Sequence, residues 1–292
     1  MTLAKSPPVA TPVVGPVAAS QTAISVLTAL LEARTGQQIA AYRSWRLDTA
    51  LIPLLRERSL DTLDQLVALL LNGRDPGIGD RIVDALVNSE SSFFRDSAVF
   101  DQLGEVVAAH EGAGHRVRLW SAGCATGQEP LSLAMLFAER QADSGASMPE
   151  IVATDVSEQA LARARAARFT QFEIQRGLPI RRMMRWFEGE GGDWHARPEL
   201  VRMVQFRRQN LVADRAPPGR FDLILCRNVL IYLSPVTKAR VFETLAQALR
   251  PGGTLVLGAG ETVIGHSDAF EPCRRFRGFY RRVDGEEKLV AA

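Results

Sequence analysis

Short apolar runs alternate with stretches of helical periodicity from residue 117 onward. Five runs have the length and composition of buried strands, and they are VRLWSAG at 117–123, EIVATD at 150–155, MVQFRRQN at 203–210, FDLILCRNV at 221–229 and GTLVLG at 253–258. This alternation constrains the fold because neighbouring parallel strands need long crossover connections, which are usually helices. The sequence therefore predicts an α/β domain at 116–285, built on a doubly wound, Rossmann-like parallel sheet.

The alternation fails between Phe169 and Met203. A helix is expected just before this stretch, at 160–168, and the stretch itself contains the glycine-rich sequence GEGGD at 189–193 between short alternating patches. Glycine-rich turns between short alternating runs are typical of antiparallel hairpins. The sequence predicts a small antiparallel insertion at 169–203.

Residues 19–88 carry helical patterns and no evident chemistry. Four helices are expected, the first ending at RTG (34–36), the second at 42–58, the third from about residue 63 and the fourth at 82–87. Pro53 predicts a boundary or kink in the second helix, and Ser59 and Asp61 are candidate N-caps of the third. We expect a small all-helical domain here, followed by a linker and helix at 89–115. Residues 1–18, rich in Pro and Ala, are predicted to be a disordered tail, and 286–292 a second tail.

Composition excludes several classes of protein. The 35 basic and 33 acidic residues give a net charge of +2, without the basic excess of a dedicated nucleic-acid binder. No apolar run approaches the roughly 20 residues that span a bilayer, so no membrane insertion is expected. Cys124, Cys226 and Cys273 form neither a disulfide framework nor a zinc pattern. A reducing, cytoplasmic setting and no metal site are therefore predicted, with small-hydrophobe packing as the role of Cys124 and Cys226.

Polar residues end three of the predicted strands, where ligands bind in doubly wound sheets. Glu129 lies in the small-residue turn SAGCATGQEP at 121–130, near a helix start, and either caps that helix or accepts hydrogen bonds from an amino-bearing ligand. Asp155 ends the second strand and is either a helix cap or an acceptor for ribose hydroxyls. Asn228 follows the buried fourth strand. These residues together predict a nucleoside-like ligand at the carboxyl edge of the sheet.

The turn at 121–130 narrows the choice of ligand. It lacks the GxGxxG spacing of dinucleotide sites, and it lacks the Lys-Ser/Thr of a P-loop. NAD and ATP are therefore disfavoured. An adenosyl ligand without phosphates, such as S-adenosylmethionine, fits the small-residue turn and the two carboxylates better.

Six motifs occur in one order along 88–261. They are NSESSFFRD at 88–96, LWSAGCATGQEPLSLAM at 119–135, ATDVSEQALARAR at 153–165, RGLP at 176–179, FDLILCRNVLIYL at 221–233 and PGGTLVLGAGE at 251–261. Together they resemble the CheR family of S-adenosylmethionine-dependent methyltransferases, which act on bacterial chemoreceptors. The resemblance, which spans roughly residues 20–285, implies a methyltransferase sheet and transfer of a methyl group to receptor glutamate side chains as γ-methyl esters, in chemosensory adaptation. It also implies the cytoplasmic helices of methyl-accepting chemoreceptors as partners, and a monomeric enzyme.

The family's functional residues map onto matching positions of this sequence. The resemblance implies Arg95 and Tyr232 as catalytic residues that contact carboxylates. It implies cofactor contacts at Ser89, Ser91, Arg95, Glu129, Asp155, Asn210, Leu211, Asn228 and Val229. Glu129 is expected to bind the amino group of the cofactor and Asp155 its ribose. Ser89 and Ser91 stand where the family usually has Asn and Thr, so the amide at the first position is replaced by a shorter hydroxyl.

The residues of the segment NSESSFFRD are expected to have different roles. Phe93 and Phe94 are predicted to pack against the α/β domain and to screen the pocket, while Arg95 points into it. Asp96 is expected to cap a helix or to pair with an Arg. The alternative roles are a structural salt bridge for Arg95 and a core position for Tyr232.

Other functions remain open at this point. The chain could be an S-adenosylmethionine-binding regulatory module, or it could methylate another substrate in a chemosensory-like pathway. A basic face around Arg43, Arg46, Arg56 and Arg58 is a candidate docking surface for acidic receptor helices. The insertion is short for the family, so binding of a receptor tether peptide is not assumed.

Overall fold

The structure is a computed structural model, and it describes residues 19–40, 45–112 and 114–283. Both predicted tails and Arg43 of the candidate docking face lie outside these residues. Contacts divide the chain into a smaller unit, Met1–Leu30 with Ala40–Leu86, and a larger unit, Leu31–Ile39 with Val87–Ala292. In the described part of the chain, no helix combines the length and the apolar character needed to cross a bilayer.

The N-terminal region is helical, as predicted. Its helices are α1 (Gln21–Thr35), α2 (Trp45–Glu57), α3 (Leu63–Leu71) and α4 (Ile78–Leu86). Each of the last three buries a stripe of Leu, Ile or Val side chains, in α2 at Leu47, Leu51, Leu54 and Leu55. These spacings follow the period of an α-helix with one apolar face.

Two local predictions in this region need correction. Helix α2 continues through Pro53, so the predicted boundary there is wrong. Pro53 is exposed, so water can satisfy the carbonyl group that lacks its usual N–H partner. The N-cap of α3 is Thr62, not Ser59 or Asp61, because the Thr62 hydroxyl accepts a hydrogen bond from the Gln65 N–H at 3.2 Å.

The larger unit contains the predicted α/β sheet. Its strands are β1 (Arg118–Ala122), β2 (Glu150–Asp155), β6 (Val204–Arg208), β7 (Phe221–Cys226), β8 (Leu249–Leu257), β9 (Phe270–Pro272) and β10 (Phe279–Arg282). Their order in the sheet is β6-β2-β1-β7-β8-β10-β9. The first five strands in this order are parallel, and β10 pairs antiparallel with both β8 and β9. The order runs from β1 to β2 on one side and to β7 on the other. This reversal places the switch point, where doubly wound sheets bind ligands, beside β1.

Helices cover both faces of this sheet. They are α5 (Ser97–His110), α6 (Gln128–Ser144), α7 (Glu158–Ala166) and α11 (Pro235–Ala248). Successive residues of β1 point to opposite faces: Leu119 belongs to the core cluster that includes Phe100 and Leu131, and Trp120 to the cluster that includes Phe242. A sheet that is buried on both faces explains why its strands read as continuous apolar runs.

The predicted antiparallel insertion is confirmed. Strands β3 (Arg168–Thr170), β4 (Phe187–Glu190) and β5 (Asp193–Ala196) form a three-stranded sheet in the order β3-β5-β4. Helices α8 (Gln171–Gln175) and α9 (Ile180–Trp186) connect β3 to β4, and α10 (Pro198–Arg202) follows β5. Arg168 begins a strand, which corrects the expected helix at 160–168.

Arg118 and Glu150 begin neighbouring strands, in register with each other. The Arg118 guanidinium donates two hydrogen bonds to the Glu150 carboxylate, at 2.9 and 3.1 Å. These bonds lower the pKa of Glu150 below its ordinary value of about 4.5. Because the folded pKa is lowered, the stabilisation is complete above the ordinary pKa and is lost as the pH falls through the folded value.

We therefore expect Glu150→Gln to destabilise the fold by about 1 kcal/mol at pH 7, which lowers the thermal unfolding midpoint by roughly 2 to 4 °C. The difference between the unfolding midpoints of the variant and the wild type, measured by circular dichroism, should decrease below about pH 4.5. The control is Glu158→Gln, which removes an exposed pair with Arg165 and should change the midpoint little. A difference in midpoint that increases in acid would contradict a stabilising Arg118–Glu150 pair.

Candidate functional site

A cleft of about 860 Å³, part of it open to solvent, lies at the carboxyl ends of β1, β2, β6 and β7. Nine of the predicted site residues line it: Ser91, Arg95, Glu129, Asp155, Asn210, Leu211, Asn228, Val229 and Tyr232. Ser89, the remaining predicted contact, is not among its lining residues. Segments far apart in the chain thus meet at the edge of the sheet where doubly wound folds bind ligands.

The turn after β1 is shaped by backbone geometry. Gly123 has φ +76°, and a Cβ there would collide with the side chain of Val229. The N–H groups of Gly123 and Cys124 both donate to the Thr154 carbonyl, at 2.8 and 2.9 Å, which folds the turn against β2. Only glycine fits this position, and its missing side chain leaves room in the cleft.

Asp155 is buried at the end of β2, with 7% of its surface exposed. Its carboxylate accepts hydrogen bonds from the N–H groups of Ala125, at 2.8 Å, and Ser157, at 2.9 Å. Ser157, not Asp155, is the N-cap of α7. This excludes the cap interpretation of Asp155. Both donors are backbone groups of the turns after β1 and β2, so the carboxylate is fixed at the edge of the cleft that it lines.

Glu129 lies in the first turn of α6, with most of its side chain buried. One carboxylate oxygen accepts from the Ser121 hydroxyl at 2.8 Å, and the other accepts from Arg227 at 3.0 Å. These contacts come from the side chains of strand β1 and of the loop after β7. They orient the carboxylate along the wall of the cleft.

Arg227 connects this wall to the segment NSESSFFRD. Its side chain is 1% exposed, and its guanidinium also donates to the Asp96 carboxylate at 2.6 Å and to the Arg95 carbonyl at 2.7 Å. The expected pairing of Asp96 with an Arg is confirmed, and its side chain makes no cap hydrogen bond to α5. Sequence reasoning gave Arg227 no role, although an Arg directly after a fully buried strand is itself a signal of a buried ion pair.

The two Phe residues anchor that segment in the core of the larger unit. The Phe93 ring packs edge-on against Phe169 and Phe187 of the insertion, with centroids 5.0 and 5.5 Å apart. Phe94 packs against Phe100, and its N–H donates to the Ser132 hydroxyl at 3.0 Å. Packing against the α/β domain is therefore confirmed. Neither ring is among the residues that line the cleft.

Sequence reasoning missed two other contributors. Asn88 lines the cleft, and its side-chain amide donates a hydrogen bond to the Tyr232 hydroxyl. Gln37, just after α1, also lines the cleft and forms a β-bridge with Leu233, while the Gln38 N–H donates to the Tyr232 carbonyl at 2.8 Å. Asn88 is the first residue of the motif at 88–96, but nothing local in the sequence marks Gln37.

The wall of the cleft that follows β6 contains polar side-chain groups with and without hydrogen-bond partners. The Asn210 side chain donates to the Arg34 carbonyl and accepts from the Val212 N–H at 3.0 Å, so it shapes the chain around the cleft. Gln209 lines the cleft and is 5% exposed, and its side-chain carbonyl has no hydrogen-bond partner among the described residues. A buried acceptor without a partner is costly unless a ligand donates to it.

These residues fit an adenosyl ligand that carries an amino acid moiety. Asp155 suits ribose hydroxyls, Glu129 suits a cationic amino group, and Gln209 has an acceptor to offer. The turn at 121–130 has no Lys for phosphates. A doubly wound sheet with such a cleft at its switch point, and without a phosphate-binding loop, fits the class of methyltransferases that use S-adenosylmethionine.

Comparisons with known proteins identify the family. The model of the CheR methyltransferase SAM-binding domain matches residues 89–278. The chain is 36% identical over 248 residues to the chemotaxis protein methyltransferase of Vibrio parahaemolyticus, covering 84% of this chain and 90% of that protein. It is 33% identical over 248 residues to chemotaxis protein methyltransferase 1 of Pseudomonas aeruginosa, covering 82% and 90%. The chain belongs to the CheR family, and its cofactor is S-adenosylmethionine, as the motifs and the cleft predicted.

Arg227→Lys should weaken binding of S-adenosylhomocysteine by about tenfold. The reason is that one ammonium group cannot hydrogen-bond to the carboxylates of Glu129 and Asp96 at the same time, as the guanidinium does. Isothermal titration calorimetry measures this. The matched control is Arg275→Lys, whose exposed pair with Glu105 lies elsewhere on the larger unit. Equal affinity in the two variants would show that Arg227 does not orient the wall.

The buried thiols should be unreactive. Burial, together with the carboxylates of Asp155 and Glu129, raises the pKa of the Cys124 thiol, and burial also raises that of Cys226. Iodoacetamide at pH 7.5 should therefore modify only Cys273 in the native protein and all three thiols after unfolding. Mass spectrometry of the intact protein counts the modifications. Rapid native labelling of Cys124 would contradict its burial.

Proposed function

We propose that this protein is a protein-glutamate O-methyltransferase that methylates chemoreceptors in chemosensory adaptation. The observation that carries the proposal is the position of Arg95 and Tyr232, which line the same cleft as Glu129 and Asp155. A carboxylate substrate that enters this cleft meets a guanidinium and a phenol beside the cofactor-binding wall. The names of the CheR relatives as chemotaxis methyltransferases support the same conclusion.

The proposed cofactor-binding residues hold different parts of the cofactor. Glu129 holds the amino group, Asp155 holds the ribose, and the pairs Asn210–Leu211 and Asn228–Val229 form the walls around the adenosyl group. Ser91 adds a hydroxyl from the segment that also carries Arg95. Ser89 is the weakest member of the proposed set, since it lies outside the lining of the cleft.

When bound, S-adenosylmethionine supplies an electrophilic methyl group on a positively charged sulfur. A substrate glutamate has an ordinary pKa of about 4.3 and is ionised at pH 7, so the chain needs no strong general base. Its task is to hold the carboxylate in place and to exclude water, because a hydrated carboxylate is a poor nucleophile. Arg95 offers a planar pair of donors for that purpose.

Tyr232 is proposed to donate a second hydrogen bond to the substrate carboxylate. Its oxygen accepts a hydrogen bond from Asn88, which leaves the phenolic proton available for another acceptor. Gln38 holds the Tyr232 backbone from the other side. These contacts support Tyr232 as a positioned donor and argue against a role as a core side chain.

Receptor helices are proposed to dock through the basic face that Arg46, Arg56 and Arg58 contribute on and just after α2. Arg56 is exposed and Arg46 half-buried, whereas Arg58 is paired with Asp75 at 2.7 Å and contributes less free charge. Acidic helices would be attracted by such a face over a distance set by ionic strength. The proposed substrate places the reaction in the cytoplasm, and one chain supplies every proposed site residue, so a monomer suffices.

Incubation with methyl-labelled S-adenosylmethionine and a receptor cytoplasmic fragment tests the function. We expect base-labile label that is released as methanol, which identifies a carboxyl ester. Base-stable label, or cofactor binding without transfer to any receptor fragment tested, would contradict the proposal.

Tyr232→Phe should lower kcat/KM for the receptor fragment by about tenfold, because one hydrogen bond to a charged carboxylate is lost. Binding of S-adenosylhomocysteine should stay within twofold of wild type. The matched control is Tyr280→Phe, whose hydroxyl faces Thr262 away from the cleft and should not matter. If both variants retain full activity, Tyr232 does not contact the substrate.

A further inference from the structure

One carboxylate holds the loop that follows β7. An oxygen of Glu261 accepts hydrogen bonds from the backbone N–H groups of Asn228, at 2.7 Å, and Gly258, at 2.8 Å. The other oxygen accepts from the N–H groups of Leu230, at 2.7 Å, and Ile231, at 3.3 Å. A single side chain thereby satisfies four backbone donors. Hydrogen bonds to an ionised acceptor are about twice as strong as neutral ones.

These donors have few alternative acceptors. Leu230 and Ile231 begin a 3-10 turn, Leu230–Tyr232, and the first N–H groups of a helical turn have no partner within it. Asn228 lies in the left-handed region, with φ +59°, a conformation that disfavours a continuing strand or helix. The loop therefore depends on an external acceptor to keep its course.

Gly258 makes the approach of that acceptor possible. A Cβ at this position would lie 2.8 Å from the Glu261 carboxylate and 2.8 Å from the side-chain nitrogen of Asn228. Side chains larger than hydrogen would push the carboxylate away from the loop. The sequence GAGE at 258–261 thus combines the acceptor with the space it needs.

Glu261 is not among the residues that line the cleft, but the stretch 228–232 that it holds carries three that do: Asn228, Val229 and Tyr232. We propose that Glu261 is a positioning residue that sets Asn228 and Val229 against the cofactor and Tyr232 against the substrate. The cofactor part of this inference rests on the family's established ligand, and the Tyr232 part rests on the proposed function.

The charge and the two oxygens are what the proposal requires. In Glu261→Gln the side chain keeps its shape, but one oxygen becomes an NH₂ group that faces two N–H donors. Two of the four bonds are then replaced by donor–donor contacts. The loop should shift while the rest of the core is retained.

Glu261→Gln should weaken binding of S-adenosylhomocysteine by about tenfold in calorimetry, because hydrogen bonds to a charged acceptor are lost on the loop that forms the site. The matched control is Glu243→Gln, at an exposed position on α11. Circular dichroism and ligand-free thermal unfolding verify that each variant is folded. A folded Glu261→Gln variant with wild-type affinity would overturn the proposal.

Glu261→Asp gives a second test if the Gln variant does not fold. It keeps the charge but is one methylene shorter, so it cannot reach all four donors. Weaker binding of S-adenosylhomocysteine than wild type is expected, and wild-type affinity would again count against a positioning role.

A kinetic comparison isolates the link to Tyr232. Glu261→Gln should lower kcat about tenfold in the wild-type background and less than about twofold when Tyr232→Phe is also present, because effects that act through one group are not additive. Equal losses in both backgrounds would overturn this link. Absence of any receptor methylation by the wild type would instead contradict the proposed function, and the calorimetric result would still decide the cofactor part.

Discussion

The guanidinium of Arg227 is the contact on which the organisation of the cleft depends. Almost fully buried, it bonds the Asp96 carboxylate, the Arg95 carbonyl and the Glu129 carboxylate, which come from two separate parts of the chain. A buried charge is tolerated only when it is paired and hydrogen-bonded, so displacing any one partner exposes the others to a large penalty. The wall proposed to bind the cofactor and the segment that carries Arg95 are therefore held by one ion.

Backbone strain is concentrated around the same cleft. Four of the six non-glycine residues with positive φ in the described part of the chain lie in segments that build it, and they are Phe94, Asp96, Ala125 and Asn228. Each such conformation costs about 1 kcal/mol or more, and it persists where the surroundings over-determine it. The N–H of Ala125 is held by Asp155, and that of Asn228 by Glu261. Carboxylates thus hold the strained turns that build the cleft.

The cleft also depends on a segment from the N-terminal region. Residues 36–38 follow α1. Gln37 forms a β-bridge with Leu233, and Gly36 lies close to Val212 and Leu233. The chain after the first helix is therefore part of the cleft. Asn88 at the other end of this region reaches Tyr232, so both ends of the helical stretch contribute to the cleft.

The sequence by itself determined the sheet and the identity of the strand ends. Buried parallel strands must be apolar throughout, and the turns that follow them need small or polar residues. Both patterns can therefore be recognised in the amino-acid sequence. Asp155 ends a recognisable strand, Asn228 lies just after another, and Glu129 lies at the start of the helix after a third. The sequence could therefore place all three at the cleft. The antiparallel insertion was predictable for a similar reason, through its glycine-rich turn.

Only the tertiary structure decided which distant residues complete the site. Arg227 and Glu261 act through hydrogen bonds to backbone groups and carboxylates remote in sequence, and such bonds leave no periodic pattern. Gln37 reaches Leu233 across 196 positions of chain through a bridge that its neighbours do not encode. The side chains that face a ligand follow from local rules of strand and turn. The charges that hold those side chains in place depend on packing, because a buried ion must find its partners wherever the fold brings them.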